Sequence, residues 1–207
     1  MSKAISSTDL LAKKYDLIEW EGEWYDNFSE PEASGSWFIS GHSGNGKTSF
    51  MLELAKALSK FDRVLFNSLE EGTSRTMQQA WKRHNVSDCG RSIQLIKEKY
   101  EELRIRLKKR KSPRFIITDS WQYTGMSFEQ YLALKEEFPD KLFIWNSQMD
   151  GSKPLGKTAI RIQYDADLKI WVEGFKAFSK GRYLGKYYAD GLTIWEEGAQ
   201  KYWSQTG

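Results

Sequence analysis

Hydrophobic residues in this chain change their spacing twice. Residues 1–33 are polar with an amphipathic start: Leu10, Leu11, Tyr15 and Leu17 suit one short helix, and Glu19–Trp24 alternates acidic and aromatic residues. After the turn-rich Ser29–Gly35 the pattern becomes regular. Ser36–Ser40 (SWFIS) is a short apolar run, and Ser49–Ser59 then carries Met51, Leu54, Ala55 and Leu58 at helical spacing. Arg63–Ser68 (RVLFNS) reads as a buried strand, Thr73–Arg83 as a helix, and Arg91–Lys111 as a helix with Ile96, Tyr100, Leu103 and Leu107 on one face. Arg114–Thr118 (RFIIT) and Lys141–Asn146 (KLFIWN) read as buried strands. Between them Ser127 and Gln130 form a capping box for a helix that Pro139 and Asp140 end. From Asp165 onward helical spacing stops. Leu168–Val172, Phe175–Phe178, Tyr187–Ala189 and Leu192–Trp195 read as short strands broken by Gly174, Gly181, Gly185 and Gly191.

Strand and helix thus alternate through the first two-thirds of the chain, which implies an α/β fold with a mainly parallel central sheet flanked by helices. The last third adds a C-terminal β-hairpin or meander extension. With 207 residues and no repeat or low-complexity tract, one compact unit is expected: residues 1–34 as a helix and linker packing on a domain spanning 35–207.

Composition narrows the chemistry. One cysteine and two histidines leave no set of ligands for a zinc site and no internal disulfide, which fits a reducing compartment. The N-terminus has no uninterrupted apolar core of a secretory signal, and no window approaches the ~18 apolar residues of a membrane span. The expected location is the cytoplasm, or a host's cytoplasm. A net charge of +3 is compatible with a polyanionic partner without demanding one. Nine Trp, ten Tyr and eleven Phe are enough that most must lie in the core.

The strongest local signal follows the first apolar run. Gly41-His42-Ser43-Gly44-Asn45-Gly46-Lys47-Thr48 fits G-x-x-x-x-G-K-[ST] at every defined position, with a strand before it and an amphipathic helix, beginning at Ser49, behind it. In such a loop backbone N–H groups converge on the phosphates of a nucleotide at a helix start. Lys47 adds a point charge and the Thr48 hydroxyl ligates Mg²⁺, so ATP and Mg²⁺ are the expected ligands. Asp119, directly after Arg114–Thr118, is the candidate for the metal's second acidic partner. Leu69-Glu70-Glu71-Gly72 follows Arg63–Ser68, so two carboxylates fall at the carboxyl end of a second strand, the edge where open α/β sheets bind ligands.

With these residues the chain resembles the RecA-like P-loop ATPases, and among them the ATPase core of DnaB-type replicative helicases. Ser68-Leu69-Glu70 is similar to that family's S-L-E, which implies Glu70 as the catalytic base. Asp119-Ser120-Trp121-Gln122 resembles its D-x-x-Q Walker B segment. Ser147-Gln148 resembles the S-Q motif, implying that Gln148 senses the γ-phosphate. Asp165-Ala166-Asp167 resembles its D-A-D, and Lys180-Gly181-Arg182 its K-x-R, implying that Lys180 and Arg182 reach a neighbouring subunit's ATP in a ring or filament. The likeness runs over roughly residues 35–190. It implies a RecA-like fold, ATP hydrolysis, a homo-oligomer and single-stranded nucleic acid as partner.

The family's strand-gripping loop corresponds to Met149–Tyr164, expected here as a flexible basic loop carrying Lys153, Lys157 and Arg161. That segment is short, and residues 1–34 stand where the family has a helical domain; both depart from a processive unwinding enzyme. A second basic cluster, Arg104–Lys111, reads as a solvated helix end paired with Glu101 and Glu102. Lys180 and Arg182 alternate along a strand-like run without an evident local acid. Two other readings share the phosphate loop: a kinase acting on a small molecule, and a nucleotide-dependent switch with little turnover.

Overall fold

A computed structural model describes residues 4–205. In chain order the elements are α1 (Ser7–Ala12), α2 (Glu23–Phe28), β1 (Gly35–Ser40), α3 (Lys47–Leu58), β2 (Val64–Ser68), α4 (Arg75–Arg83), β3 (Ile93–Ile96), α5 (Tyr100–Leu107), β4 (Phe115–Asp119), α6 (Phe128–Glu137), β5 (Leu142–Ser147), β6 (Met149–Asp150), β7 (Lys153–Pro154), α7 (Lys157–Asp165), β8 (Leu168–Glu173), β9 (Lys176–Gly181), β10 (Leu192–Thr193) and α8 (Glu196–Trp203). Eight strands form one sheet in the order β10-β9-β8-β1-β5-β4-β2-β3. The six from β8 to β3 run parallel, and β9 and β10 join antiparallel as the hairpin extension. β6 and β7 pair separately with each other.

Parallel strands buried on both faces must be apolar throughout, and alternate residues go to opposite sides. Trp37, Ile39, Phe66, Ile117 and Ile144 pack with α3 on one face, while Phe38, Leu65, Ile116, Phe143 and Trp145 pack with α5, α6 and α7 on the other. Each fully buried aromatic or aliphatic side chain contributes about 1.5–3 kcal/mol. Residues before β1 share the first core: Ile18, Trp20 and Phe28 are buried, and Trp20 stacks on Trp24 with ring centroids 5.0 Å apart.

The capping box before α6 is present, Ser127 Oγ accepting from Gln130 N–H and Gln130 Oε1 from Ser127 N–H. Four local expectations are corrected. Arg91–Lys111 is a strand followed by a helix: Ile93–Ile96 pairs with Val64–Asn67, and the Asn67 side chain bonds both the Glu98 N–H and its carbonyl where the chain turns. Ile96, Tyr100, Leu103 and Leu107 still face one core, but edge pairing overrides the helical period. Met149–Tyr164 is not a loop, because Ala159 and Ile162 are buried and hold α7 on the core. Tyr187–Ala189 is a turn; its Tyr187 N–H donates to the Asp26 carbonyl and docks the segment on α2 rather than in the sheet. The last third also ends in a helix, α8. At the other terminus, α1 covers only Ser7–Ala12 and buries none of its residues, leaving Tyr15 and Leu17 outside the helix. Among the described residues no helix is long and apolar enough to cross a membrane.

Candidate nucleotide site

The carboxyl ends of β1, β2, β4 and β5 open on a cleft of about 470 Å³ lined by the phosphate loop and by Glu70, Glu71, Asp119, Asn146, Gln148, Met149 and Phe175. β5 lies between β1 and β4, so the loop and Asp119 face each other across one intervening strand.

The loop's shape follows from its glycines and its neighbours. Gly41 passes so close to β8 that a Cβ there would lie 2.1 Å from the Val172 carbonyl oxygen. Gly46 has φ +95°, a region that disfavours any side chain. Asn45 points away from the cleft: its Oδ1 accepts from Gly174 N–H at 2.7 Å, and its carbonyl from Phe175 N–H at 3.2 Å. Gly174 and Phe175 form the two-residue turn between β8 and β9, both at positive φ as tight hairpins require. Phe175 is a costly residue for that conformation, and the Asn45 bond helps hold it there. Of the loop, Ser43, Gly44, Gly46, Lys47, Thr48 and Ser49 line the cleft, whereas Gly41, His42 and Asn45 shape it from behind.

Lys47 Nζ donates to the His42 carbonyl at 2.8 Å, curling the loop around its ammonium. Burial lowers the Lys47 pKa, opposed by the negative charges of Asp119 and Glu70. Asp119, at the last position of β4, is buried, and burial pushes its carboxyl up to about 6; the Asn146 amide, bonded to Oδ1 at 2.6 Å, pulls it down, Glu70 and Glu71 push it up, and Lys47 pulls it down. Glu70 Oε2 accepts from Gln148 Nε2 at 3.3 Å and Ser120 Oγ at 3.4 Å. Glu71 instead binds Ser74 and Thr76 at the start of α4. The two acids therefore differ: Glu71 serves a helix N-terminus and Glu70 faces Gln148.

A nucleotide with Mg²⁺ suits these donors and acceptors. Asn146 Oδ1 is buried with no hydrogen-bond partner among the described residues, Asp119 carries a carboxylate whose charge burial disfavours, and Lys47 is a cation that burial also disfavours. A divalent cation favours the ionised Asp119, and phosphate oxygens favour the charged Lys47.

The other expected residues lie elsewhere. Lys180 pairs with Lys169 near the far end of β9, and Arg182 lies beyond that strand, so both sit toward the amino edge of the sheet. Arg182 does have a local acid: its Nη1 is 3.2 Å from Asp167 Oδ1, because the β8–β9 register brings Gly181 opposite Leu168. Lys153 is exposed on the β6–β7 hairpin, and Lys157 and Arg161 stand one turn apart on α7. Arg161 is partly engaged, 3.8 Å above the Phe128 ring and 3.6 Å from Glu129. Arg104, Arg106 and Lys108 are paired with Glu137 or Glu98, as a solvated basic helix end would be. Sequence reading passed over Asn146 and Phe175. The first could have been noticed as a polar residue closing an apolar strand; the second has no local signal.

A scan of protein-family models finds no match, and no curated protein sequence matches. Solved structures do. The flagellar accessory protein FlaH from Methanocaldococcus jannaschii aligns over 87% of this chain and 92% of its own at 15% identity, with a TM-score of 0.59. The KaiC-like protein PH0186 from Pyrococcus horikoshii OT3 aligns over 78% and 85% at 14% identity, with a TM-score of 0.56. The ATPase domain of a DnaB-like helicase aligns over 67% and 69% at 18% identity, with a TM-score of 0.46. The chain has the RecA-like P-loop ATPase fold, with its mainly parallel sheet flanked by helices.

Proposed function

We propose that the protein binds Mg·ATP in this cleft, hydrolyses it, and couples hydrolysis to single-stranded nucleic acid as a cytoplasmic homo-oligomer. The observation that carries the proposal is the meeting of Lys47, Asp119, Glu70 and Gln148 at one sheet edge, with the Gln148 amide on the Glu70 carboxylate. Backbone N–H groups of residues 43–48 and the Lys47 ammonium hold the phosphates. The Thr48 hydroxyl and Asp119 hold Mg²⁺, which neutralises charge developing on the phosphoryl oxygens. Glu70 accepts the proton of the attacking water, and Gln148 orients that water against the γ-phosphate. On this reading residues 35–207 are the ATPase domain and residues 1–34 pack on it, as the burial of Ile18, Trp20 and Phe28 supports.

Lys180 and Arg182 stand at the sheet edge away from their own phosphate loop, so any phosphate they meet belongs to another copy; such a heterologous contact builds rings or filaments. Lys153, Lys157 and Arg161 are the strand-contacting cations. Phosphate release with no added acceptor, followed across protein concentration with and without single-stranded DNA, tests the whole. Release that needs a small-molecule acceptor makes the protein a kinase. Replacing Lys153, Lys157 and Arg161 with Ala should lower the salt slope of strand binding by about 0.7 per contact, roughly two units together. An unchanged slope places the strand elsewhere.

A further inference from the structure

The cluster around Gln122 lies just behind the cleft and takes no part in the chemistry proposed above. Gln122 sits in a single helical turn, Trp121–Tyr123, directly after β4. Its backbone is anchored by Trp121, which is buried and packs edge-on against Trp145 and Tyr131, with centroids 5.3 and 6.3 Å away. Its carboxamide is spent on three partners. Nε2 donates to Ser147 Oγ at 2.8 Å and to the Leu155 carbonyl at 3.0 Å, and Oε1 accepts the Gln148 N–H at 3.2 Å. Leu155 N–H donates in turn to the Gln148 carbonyl at 2.9 Å.

These bonds close the base of the β6–β7 hairpin. The hairpin has two paired positions on each strand, Met149 with Pro154 and Asp150 with Lys153, and its turn is exposed. Two-stranded hairpins are marginal alone. Leu155, 40% exposed, contributes little packing, so hydrogen bonds at the base set the hairpin's position. The residue that starts the hairpin's base, Gln148, is also the one whose side chain reaches Glu70.

We infer that Gln122 is a positioning residue that locks the β6–β7 hairpin to Gln148, so that hairpin displacement and nucleotide occupancy are mechanically linked. The inference rests on the ATP site proposed above and assigns Gln122 no contact with the nucleotide. A hairpin pulled by a ligand at its exposed Lys153 would move Leu155, and through the Gln122 carboxamide the Gln148 backbone. Gln148 would then leave or approach Glu70. The converse also holds: a γ-phosphate that draws Gln148 toward itself would shift the hairpin.

The test uses Gln122→Met, which keeps length and packing while deleting all three polar contacts, with Gln122→Asn as a second variant that keeps the amide but shortens its reach. In ATP turnover, Gln122→Met should lower kcat about tenfold with KM for ATP unchanged, and Gln148→Ala should lower it further. The double variant should be no slower than Gln148→Ala alone, because Gln122 acts only through Gln148. Effects that multiply in the double variant overturn the inference. Amide hydrogen exchange with Mg·ATPγS reads the same link without hydrolysis. In the unsubstituted protein the nucleotide should change protection of residues 148–155, and in both Gln122 variants that response should vanish while protection of residues 43–48 persists. No response in the unsubstituted protein, or equal responses in all three, overturns it. A protein that shows the response but releases no phosphate retains the link and loses the proposed hydrolysis.

Discussion

At the carboxyl edge of the sheet Lys47, Glu70, Glu71 and Asp119 face one cleft, and at the amino edge Lys135, Asp165, Asp167 and Arg182 gather around the start of β8. The two groups hold the same kinds of charge in the same fold. At the amino edge Asp165 accepts from Tyr131 Oη and Lys135 Nζ, both at 2.6 Å, and Asp167 accepts from Ser36 N–H at 3.1 Å and pairs with Arg182. Burial alone would raise the Asp165 carboxyl; Lys135 and then Tyr131 bring it below the usual carboxylate range. At the carboxyl edge the balance reverses. Burial lifts the Asp119 carboxyl to about 6 and depresses Lys47, and their partners do not restore either. One edge satisfies its charges internally and so contributes to folding. The other leaves them mismatched, which is how a site tuned for a charged ligand is built.

The sharpest way to break this contrast is to remove the cation at the mismatched edge. Lys47→Ala should lower ATP turnover at least ~100-fold while the fold survives, since preorganised charge dominates phosphoryl transfer. Near-normal turnover with intact circular dichroism would sink the phosphate-loop assignment. Next in size is the separation of the two acids. Glu70→Gln should keep Mg·ATP binding and lose hydrolysis by roughly 100-fold or more, because general bases contribute on that order. Asp119→Asn should weaken metal-dependent nucleotide binding as well. Titration with a fluorescent ATP analogue, with and without Mg²⁺, distinguishes them; normal hydrolysis by Glu70→Gln would shift the base to Glu71, despite its engagement with Ser74 and Thr76.

A smaller effect is expected from the cation that spans both regions. Arg182 has Asp167 as a local partner, yet its side chain is 69% exposed, which leaves room for a second copy's phosphate. Exposed ion pairs are worth about 0–1 kcal/mol, so exchanging Asp167 for a phosphate is inexpensive. Arg182→Ala should lower turnover about tenfold without abolishing ATP binding. Mixing it with Glu70→Gln protomers should restore part of the activity, since each spoils a different half of a shared site. A monomer with concentration-independent turnover and no recovery on mixing excludes the trans contact.

Legibility in the sequence followed the range of the forces involved. The strand–loop–helix around Gly41–Thr48 was readable because apolar period, glycine spacing and helix start are all local. Asp119 and Gln148 were readable because each closes an apolar strand at the edge where ligands bind. Ile93–Ile96 was not, since its apolar residues satisfy a helical period and only pairing with β2 decides otherwise. α7 and α8 were hidden among turn formers and aromatics, and only the burial of residues such as Ile162 and Ala199 makes helices of them. The Asn45 link to Gly174 and Phe175 joins positions 129 apart. No local pattern encodes such a contact. The Asp167–Arg182 pair was missed for a related reason: it depends on the β8–β9 register.

The mildest prediction tests the satisfied edge. Asp165→Asn removes the charge that Lys135 and Tyr131 share but leaves a carboxamide of similar size. Because the folded Asp165 carboxyl lies below its ordinary value, it contributes stability above that ordinary value. The contribution is lost as pH falls through the folded value. With roughly a third of the side chain exposed, solvent screening limits the loss to about 1 kcal/mol near neutral pH. Urea denaturation at pH 7 should show that difference between the two proteins, and it should shrink toward zero at pH 3, where the native carboxyl also begins to protonate. Turnover per folded molecule should not change, because the amino edge lies away from the nucleotide. A larger loss of activity than of stability would mean that the two edges communicate. The division between a structural and a chemical end of the sheet would then fail.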